Sequence, residues 1–212
     1  MRKARNKSPN YKYHIRVRGL DEVPLFRDDN DKEKYLSLYK RYRVIYKFVV
    51  YSFCCMSTHA HIFLDPKGND ISKIMQRINL CYAQYYNKKY NRGGPVFRGR
   101  FESDPVCTEI YSIALSAYIH NNPKDIHGYR GREEYFYYSS YGIYSGIQKD
   151  KWGFMDTDYI LELMGCKEKH EAINKYINLV KKRKISKSMR NIIEFLNAGE
   201  FHISNVIQLE ES

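Results

Sequence analysis

The sequence predicts an α+β protein: a ferredoxin-like, split βαβ antiparallel sheet with its helices on one side, followed by a small C-terminal α-helical appendage. Two observations predict this fold. Over residues 11–122, segments rich in β-branched and aromatic residues alternate with amphipathic segments in the order strand, helix, strand, strand, helix, strand, helix. From Thr157 onward, apolar residues recur only at helical spacing. We therefore predict a sheet-containing domain at 1–150 and a helical appendage at 151–212.

The first four elements are predicted from residues 11–65. Residues 11–19 alternate apolar and polar side chains and end at a glycine, which is typical of a half-buried strand. Residues 28–43 have an acidic first turn and a basic last turn, which suits the dipole of a helix. Residues 44–56 are β-branched and aromatic and predict a buried strand. After a short turn, residues 59–65 predict its antiparallel partner.

Three further elements complete the predicted domain. Residues 70–91 place apolar side chains at helical spacing, with Asn69 or Asp70 available as the N-cap. Residues 93–106 are punctuated by glycine and predict a strand or a hairpin. Residues 108–122 predict a third helix, which a proline closes.

The predicted appendage contains three helical segments. They cover residues 157–165, 167–184 and 186–200. A Tyr- and Gly-rich stretch at 124–150 separates them from the third helix.

The charge of the chain indicates a polyanionic partner. The chain has 36 Lys and Arg against 24 Asp and Glu, with a net charge of +12 and a pI near 9.3. Residues 1–150 hold 26 of the basic and 15 of the acidic side chains, so any nucleic-acid surface is expected there. Twenty-one tyrosines strengthen this interpretation, because aromatic rings stack on unpaired bases.

The same composition argues against a membrane or a secreted protein. No apolar stretch approaches the roughly 18 residues that a span needs, and the basic N-terminus lacks a signal peptide's apolar region. Five cysteines, odd in number and without a C-x-x-C pair, predict reduced thiols rather than disulfides or zinc ligands. We expect a cytoplasmic, nucleoid-associated protein.

Two histidines stand at alternate positions of the predicted strand 59–65. On a strand, residues i and i+2 point to the same face, so His59 and His61 project side by side while Ala60 faces the core. This geometry can bind a metal ion. An H-x-H pair alone is more often incidental, and a third ligand is needed to favour a metal site.

The third helix offers that ligand. Asn122 follows Tyr118 by four residues, on the same helix face. If this helix packs beside the histidines, the Asn122 amide oxygen can complete a mixed N/O site that suits Mg²⁺ or Mn²⁺ and leaves open positions for phosphate oxygens. His120 is a rival ligand that should face away from Tyr118, and Tyr111 is a rival nucleophile that lacks a ligand four residues later. The alternative is that Tyr118 is a core aromatic and Asn122 a helix cap.

At these residues the chain resembles the HUH single-tyrosine transposases, and most closely the REP-associated tyrosine transposases. The resemblance runs from residue 2 to about 141 and includes, in order, "MSTHAHIFL", "VFRGRF", "YIHNNP" and "YYSSY". It implies that His59 and His61 are metal ligands, Tyr118 the nucleophile and Asn122 the following ligand. Thr58 stands where the family commonly has asparagine.

The resemblance also implies a reaction and a substrate. Attack by Tyr118 on a DNA phosphate would give a 5′-phosphotyrosine and a free 3′-hydroxyl, with single-stranded, hairpin-forming DNA as substrate. Four arginines are candidate DNA contacts, although each is also explained by a solvated sheet edge: Arg16, Arg18, Arg98 and Arg100.

Two questions stay open at this point. A non-catalytic DNA-hairpin-binding protein that keeps the fold is the alternative function. A two-motif phosphoesterase is set aside, because it needs two H-x-T or H-x-S motifs and the sequence contains a single one, at residues 202–204. A homodimer, in which the tyrosine helix serves the partner's site, is compatible with the same residues.

Overall fold

The computed structural model describes residues 11–20 and 23–182. Its centre is a four-stranded antiparallel sheet in the order β2-β3-β1-β4. The strands are β1 (Lys12–Arg18), β2 (Val49–Cys55), β3 (His59–Asp65) and β4 (Glu102–Val106). The helices are α1 (Asp29–Tyr46), α2 (Ile71–Lys89), α3 (Glu109–His120), α4 (Tyr141–Tyr144), α5 (Asp158–Glu162) and α6 (Lys169–Lys182). The predicted α+β, ferredoxin-like fold is confirmed.

The two long helices cover one face of the sheet and α3 lies on the other, so the prediction that the helices share one side is wrong for α3. Phe53 pairs with Ile62 in the sheet and contacts Phe154, whose ring packs on Tyr39 of α1. His61, which points to the opposite face, contacts Tyr118 of α3 instead. The face with the histidines is therefore the face on which α3 packs.

Capping side chains set the starts of these helices. Asp28 accepts a hydrogen bond from the Asp31 amide at the start of α1, and Asp70 accepts one from the Ser72 amide at the start of α2. Thr108 caps α3 through the Tyr111 amide. Of the two predicted caps for α2, Asp70 is thus the one used.

Several predicted boundaries differ from the structure. The third helix, predicted over residues 108–122, ends at His120, and a short 3₁₀ helix follows at Asn122–Asp125. The predicted strand 44–56 begins only at Val49, because α1 continues through Tyr46 and ends where Lys47 adopts the left-handed conformation with φ 55°. The predicted strand or hairpin 93–106 forms a strand only from Glu102, and residues 98–100 are bends.

The chain beyond residue 150 packs on the sheet-containing part. Trp152 and Phe154 are buried against Phe53 of β2, and α6 lies against α3. The division at residue 150 stays a prediction, and the helix predicted at 186–200 lies outside the described residues.

The cysteines and the helices bear on two predictions made from composition. All five cysteines are free thiols, as expected. Within residues 11–20 and 23–182, no helix combines the length and the apolar character needed to cross a bilayer.

Candidate active site

The two predicted histidine ligands lie side by side on β3. Their ring centroids are 5.1 Å apart, and both point to the α3 side of the sheet. Antiparallel pairing sets Arg18 opposite His59 and Arg16 opposite His61 on the neighbouring strand. Residues directly opposite one another share a face, so two cations border the imidazoles.

Each imidazole is oriented through its Nδ1 atom. His59 Nδ1 lies 3.0 Å from Thr58 Oγ1, and His61 Nδ1 lies 2.9 Å from His14 Nε2. In the part of the chain that the structure describes, no hydrogen bond uses Nε2 of either ring. Because metal-binding histidines usually engage a second group through the other ring nitrogen, this arrangement suits Nε2 ligation.

The imidazoles are held in the neutral form that binds metals. Burial lowers the pKa of His59, with a further contribution from the Arg18 charge. Burial also lowers the pKa of His61 well below its usual value, helped by His14. Both rings are therefore neutral at neutral pH, each with one N–H, and a cation that binds the other nitrogen releases no proton to solvent.

The third helix brings the predicted nucleophile to these rings. The half-buried Tyr118 ring packs edge-on against His61, with centroids 5.5 Å apart. Asn122 was predicted on the third helix but begins the 3₁₀ helix that follows α3. It donates from Nδ2 to the carbonyls of Tyr118 (2.9 Å) and Ile119 (3.3 Å). These two hydrogen bonds use the nitrogen of the amide, so its Oδ1 atom is the one available to a ligand.

One cleft joins these side chains. It has a volume of about 370 Å³. It is lined by Arg16, Arg18, His59, His61, Glu102, Tyr118 and Asn122. The structure thus brings the three predicted metal ligands, the predicted nucleophile and two predicted DNA-binding arginines into a single cleft.

The donor set fits a divalent cation with open coordination positions. Among the described residues, no three His, Cys, Asp or Glu side chains gather as a metal site, so a third protein ligand beside the two histidines would be of another residue type, and Asn122 lines the same cleft. Two neutral imidazoles and one amide oxygen carry no charge, which leaves the cation free to attract phosphate. This set suits Mg²⁺ or Mn²⁺ better than a closed structural zinc site.

The other two predicted arginines line an adjoining cleft. It has a volume of about 220 Å³ and includes Arg98 and Arg100, which are exposed. Arg16, Arg18 and Glu102 belong to both clefts, so the two are continuous.

Arg16 has two carboxylate partners. It forms ion pairs with Glu102 at 2.8 Å and with Asp104 at 3.0 Å. Its charge is already partly neutralised, which the sequence did not indicate.

The rival residues point elsewhere. His120 is fully buried and bonds Ser140 and Tyr176, and it does not line the cleft. Tyr111 is also outside the cleft lining, and burial raises the pKa of its phenol.

Sequence reasoning missed two residues of the site, His14 and Glu102. His14 alternates with Arg16 on β1, and Glu102 follows Arg100 by two residues. Both spacings are visible in the sequence, but only the register of the strands shows that the side chains of His14 and Glu102 belong to the site.

Comparisons with known proteins agree with the fold. The family model described as "Transposase IS200 like" matches residues 7–122. A solved structure, that of a REP-associated tyrosine transposase bound to a REP hairpin, aligns with a TM-score of 0.57 at 15% identity, over 74% of this chain and 93% of that one. No curated protein matches.

The sheet and the third helix therefore have the fold of a transposase-type protein. More specifically, the chain belongs to the IS200-like transposase family.

Proposed function

We propose that this protein nicks single-stranded DNA at hairpin-forming sequences and transfers the strand through a covalent bond to Tyr118. The observation that carries the proposal is the cleft lined by Tyr118, Asn122, His59 and His61, in which the Tyr118 ring packs on His61. Membership of a transposase family supports DNA cleavage and transfer in general. The similarity in fold to a hairpin-bound transposase supports a hairpin as the substrate.

Tyr118 is the proposed nucleophile. Its phenol oxygen attacks the scissile phosphorus, the bond from phosphorus to the 3′ oxygen breaks, and a 5′-phosphotyrosine forms. The phenol loses its proton and the leaving 3′ oxygen gains one. The new ester keeps the energy of the broken bond, so a 3′-hydroxyl can attack it and rejoin a strand without ATP.

The histidines and Asn122 have a supporting role. His59, His61 and Asn122 would hold a Mg²⁺ or Mn²⁺ ion. The chemistry that such an ion supplies is Lewis-acid withdrawal of charge from the non-bridging oxygens of the phosphate. This activation matters because a phenol, with an ordinary pKa near 10, is a poor nucleophile at neutral pH.

The arginines are proposed to guide the DNA strand. Arg18, Arg98 and Arg100 are exposed along the two continuous clefts, where they can neutralise successive phosphates. Arg16 is proposed to leave its carboxylate partners and to pair with a DNA phosphate instead.

A labelled hairpin oligonucleotide tests the proposal. With Mn²⁺ present, a 3′-labelled strand should give an adduct that survives SDS, and a 5′-labelled strand should release a labelled fragment instead. Tyr118→Phe should abolish the adduct. Tyr111→Phe is the matched control on the same helix and should keep it.

The outcomes separate the two candidate functions. Tight hairpin binding without any adduct, with or without Mn²⁺, would support the non-catalytic hairpin-binding protein. An adduct that carries the 5′ label would still be consistent with Tyr118 as the nucleophile, but it would contradict the proposed attachment to a 5′ phosphate.

A further inference from the structure

Helix α3 carries the nucleophile on one face and a polar stripe on another. Ser112, Ser116 and His120 repeat every four residues and are buried, with exposed fractions of 1%, 0% and 0%. Buried polar groups on a helix face are costly unless each finds a partner. All three have partners, and none of these lies in the cleft.

Two tyrosines from the C-terminal part of the chain bond this stripe. Tyr159 of α5 lies 3.2 Å from Ser112 Oγ. Tyr176 of α6 places its hydroxyl 2.7 Å from Ser116 Oγ and 2.6 Å from His120 Nδ1. Both tyrosines follow residue 122, where the family match ends. The supports of α3 thus come from outside the matched region.

The contacts continue from His120 to the sheet. His120 Nε2 lies 2.7 Å from Ser140 Oγ, which accepts a hydrogen bond from the Phe53 amide and donates one to the Phe53 carbonyl of β2. One placement of hydrogens satisfies this whole chain of groups. Ser116 donates to Tyr176, Tyr176 to His120 Nδ1, and His120 Nε2–H to Ser140. The network therefore fixes α3 between α6 and the sheet that also carries the histidines.

We propose that Tyr176, supported by Tyr159, is a positioning residue: it clamps α3 so that Tyr118 and Asn122 meet His59 and His61 of the same chain. This inference rests on the proposed function and assigns a role to α5 and α6. The clamp acts at His120, two residues from both Tyr118 and Asn122 along the chain. A shift of α3 by a fraction of a helical turn would move both away from β3.

The size of the effect follows from the sensitivity of in-line attack to geometry. Displacement of a reacting group by about 1 Å can cost about 100-fold in rate. Tyr176→Phe keeps the ring, which packs on Tyr144 with centroids 4.9 Å apart, and removes only the hydroxyl. We expect the rate of adduct formation at saturating hairpin to fall by about 10- to 100-fold. The dissociation constant for the hairpin should stay within about twofold, because the arginine clefts are not touched.

A matched control separates positioning from stability. Val180→Ala removes apolar packing from the same helix, where Val180 is 2% exposed, and leaves the hydroxyl network intact. All variants are assayed at a temperature at which each is fully folded. We expect Val180→Ala to react at the wild-type rate, Tyr176→Phe to react slowly, and Tyr159→Phe to show a smaller decrease. Equal rates for Tyr176→Phe and wild type, or equal losses for Tyr176→Phe and Val180→Ala, would overturn the clamp.

Hydrogen exchange supplies a readout that does not depend on activity. Amides of the last two turns of α3 should exchange faster in Tyr176→Phe than in Val180→Ala, while amides of β3 should exchange equally in both. Unchanged exchange in α3 would overturn the clamp. If the wild-type protein formed no adduct at all, the proposed function would fail, and the exchange comparison would still decide the inference.

Discussion

Replacement of His14 by leucine tests how the cleft would hold a metal ion. His14 is 2% exposed, and its ring stacks on His61 with centroids 5.2 Å apart. For His61 to bind a cation through Nε2, its Nδ1 must carry the proton and donate it to His14 Nε2, 2.9 Å away. Leucine has a similar volume and cannot accept this hydrogen bond.

The magnitude follows from the buried donor that leucine would leave behind. An unsatisfied buried N–H costs about 1–3 kcal/mol, and His61 itself is only 5% exposed, so water compensates little. At about 1.4 kcal/mol for each factor of ten, Mn²⁺ should bind about 5- to 150-fold more weakly. This range agrees with the decrease of about 10- to 100-fold in metal affinity that usually follows the loss of a residue hydrogen-bonded to a metal ligand.

Titration calorimetry with Mn²⁺ and the hairpin-free protein measures this loss directly. His14→Gln is the control, because its amide oxygen can accept from His61 Nδ1 and should restore most of the affinity. Melting curves without metal show whether the variants fold. Mn²⁺ affinity of His14→Leu within twofold of wild type would refute the reasoning about the Nδ1 partner.

Three further perturbations test the charges and the buried polar groups. Burial lowers the pKa of His14 and of His120 to about 3. Below pH 6.5 both imidazoles therefore gain a proton in the unfolded chain but stay neutral in the folded one. The free energy of unfolding should fall by about 2 kcal/mol per histidine from pH 7 to pH 5. Urea titrations at both pH values measure this, and equal stability would contradict it. Asp31 is 0% exposed and accepts a hydrogen bond from Lys89 Nζ at 2.8 Å. Asp31→Asn should therefore lower the free energy of unfolding by about 3 kcal/mol and lower Tm by about 6–12 °C. An unchanged Tm would contradict this prediction. Arg16 is paired with both Glu102 and Asp104, so the double replacement Glu102→Gln with Asp104→Asn is needed to release it. This variant should steepen the salt dependence of hairpin binding by about 0.7 in log–log slope, whereas a slope equal to that of wild type would mean that Arg16 meets no phosphate.

The order of elements follows from local signals in the sequence. Alternation, helical spacing and the caps Asp70 and Thr108 are properties of neighbouring residues, and the structure confirms them. The end of α1 was misplaced because Val44 and Ile45 are β-branched, yet they sit on an exposed helix face with exposures of 68% and 61%. Tertiary packing of the preceding turns outweighed their strand preference.

The candidate site was predictable only in part. His59 and His61 lie on one strand, and Asn122 follows directly after the helix that carries Tyr118, so each pair could be predicted from local spacing in the sequence. His14 and Glu102 enter the site through cross-strand register, which depends on how β1, β3 and β4 align. The support of α3 by Tyr176 joins residues 56 to 60 positions apart, a separation at which no local pattern is informative.

The measurement that tests the central claim most directly is the localisation of the DNA adduct by mass spectrometry. After reaction with the hairpin and Mn²⁺, nuclease and trypsin digestion should leave one modified peptide, residues 101–124, which contains both Tyr111 and Tyr118. Fragmentation of that peptide should place the nucleotide phosphate on Tyr118. A phosphate on Tyr111, or on a tyrosine of any other peptide, would contradict the assignment of the nucleophile.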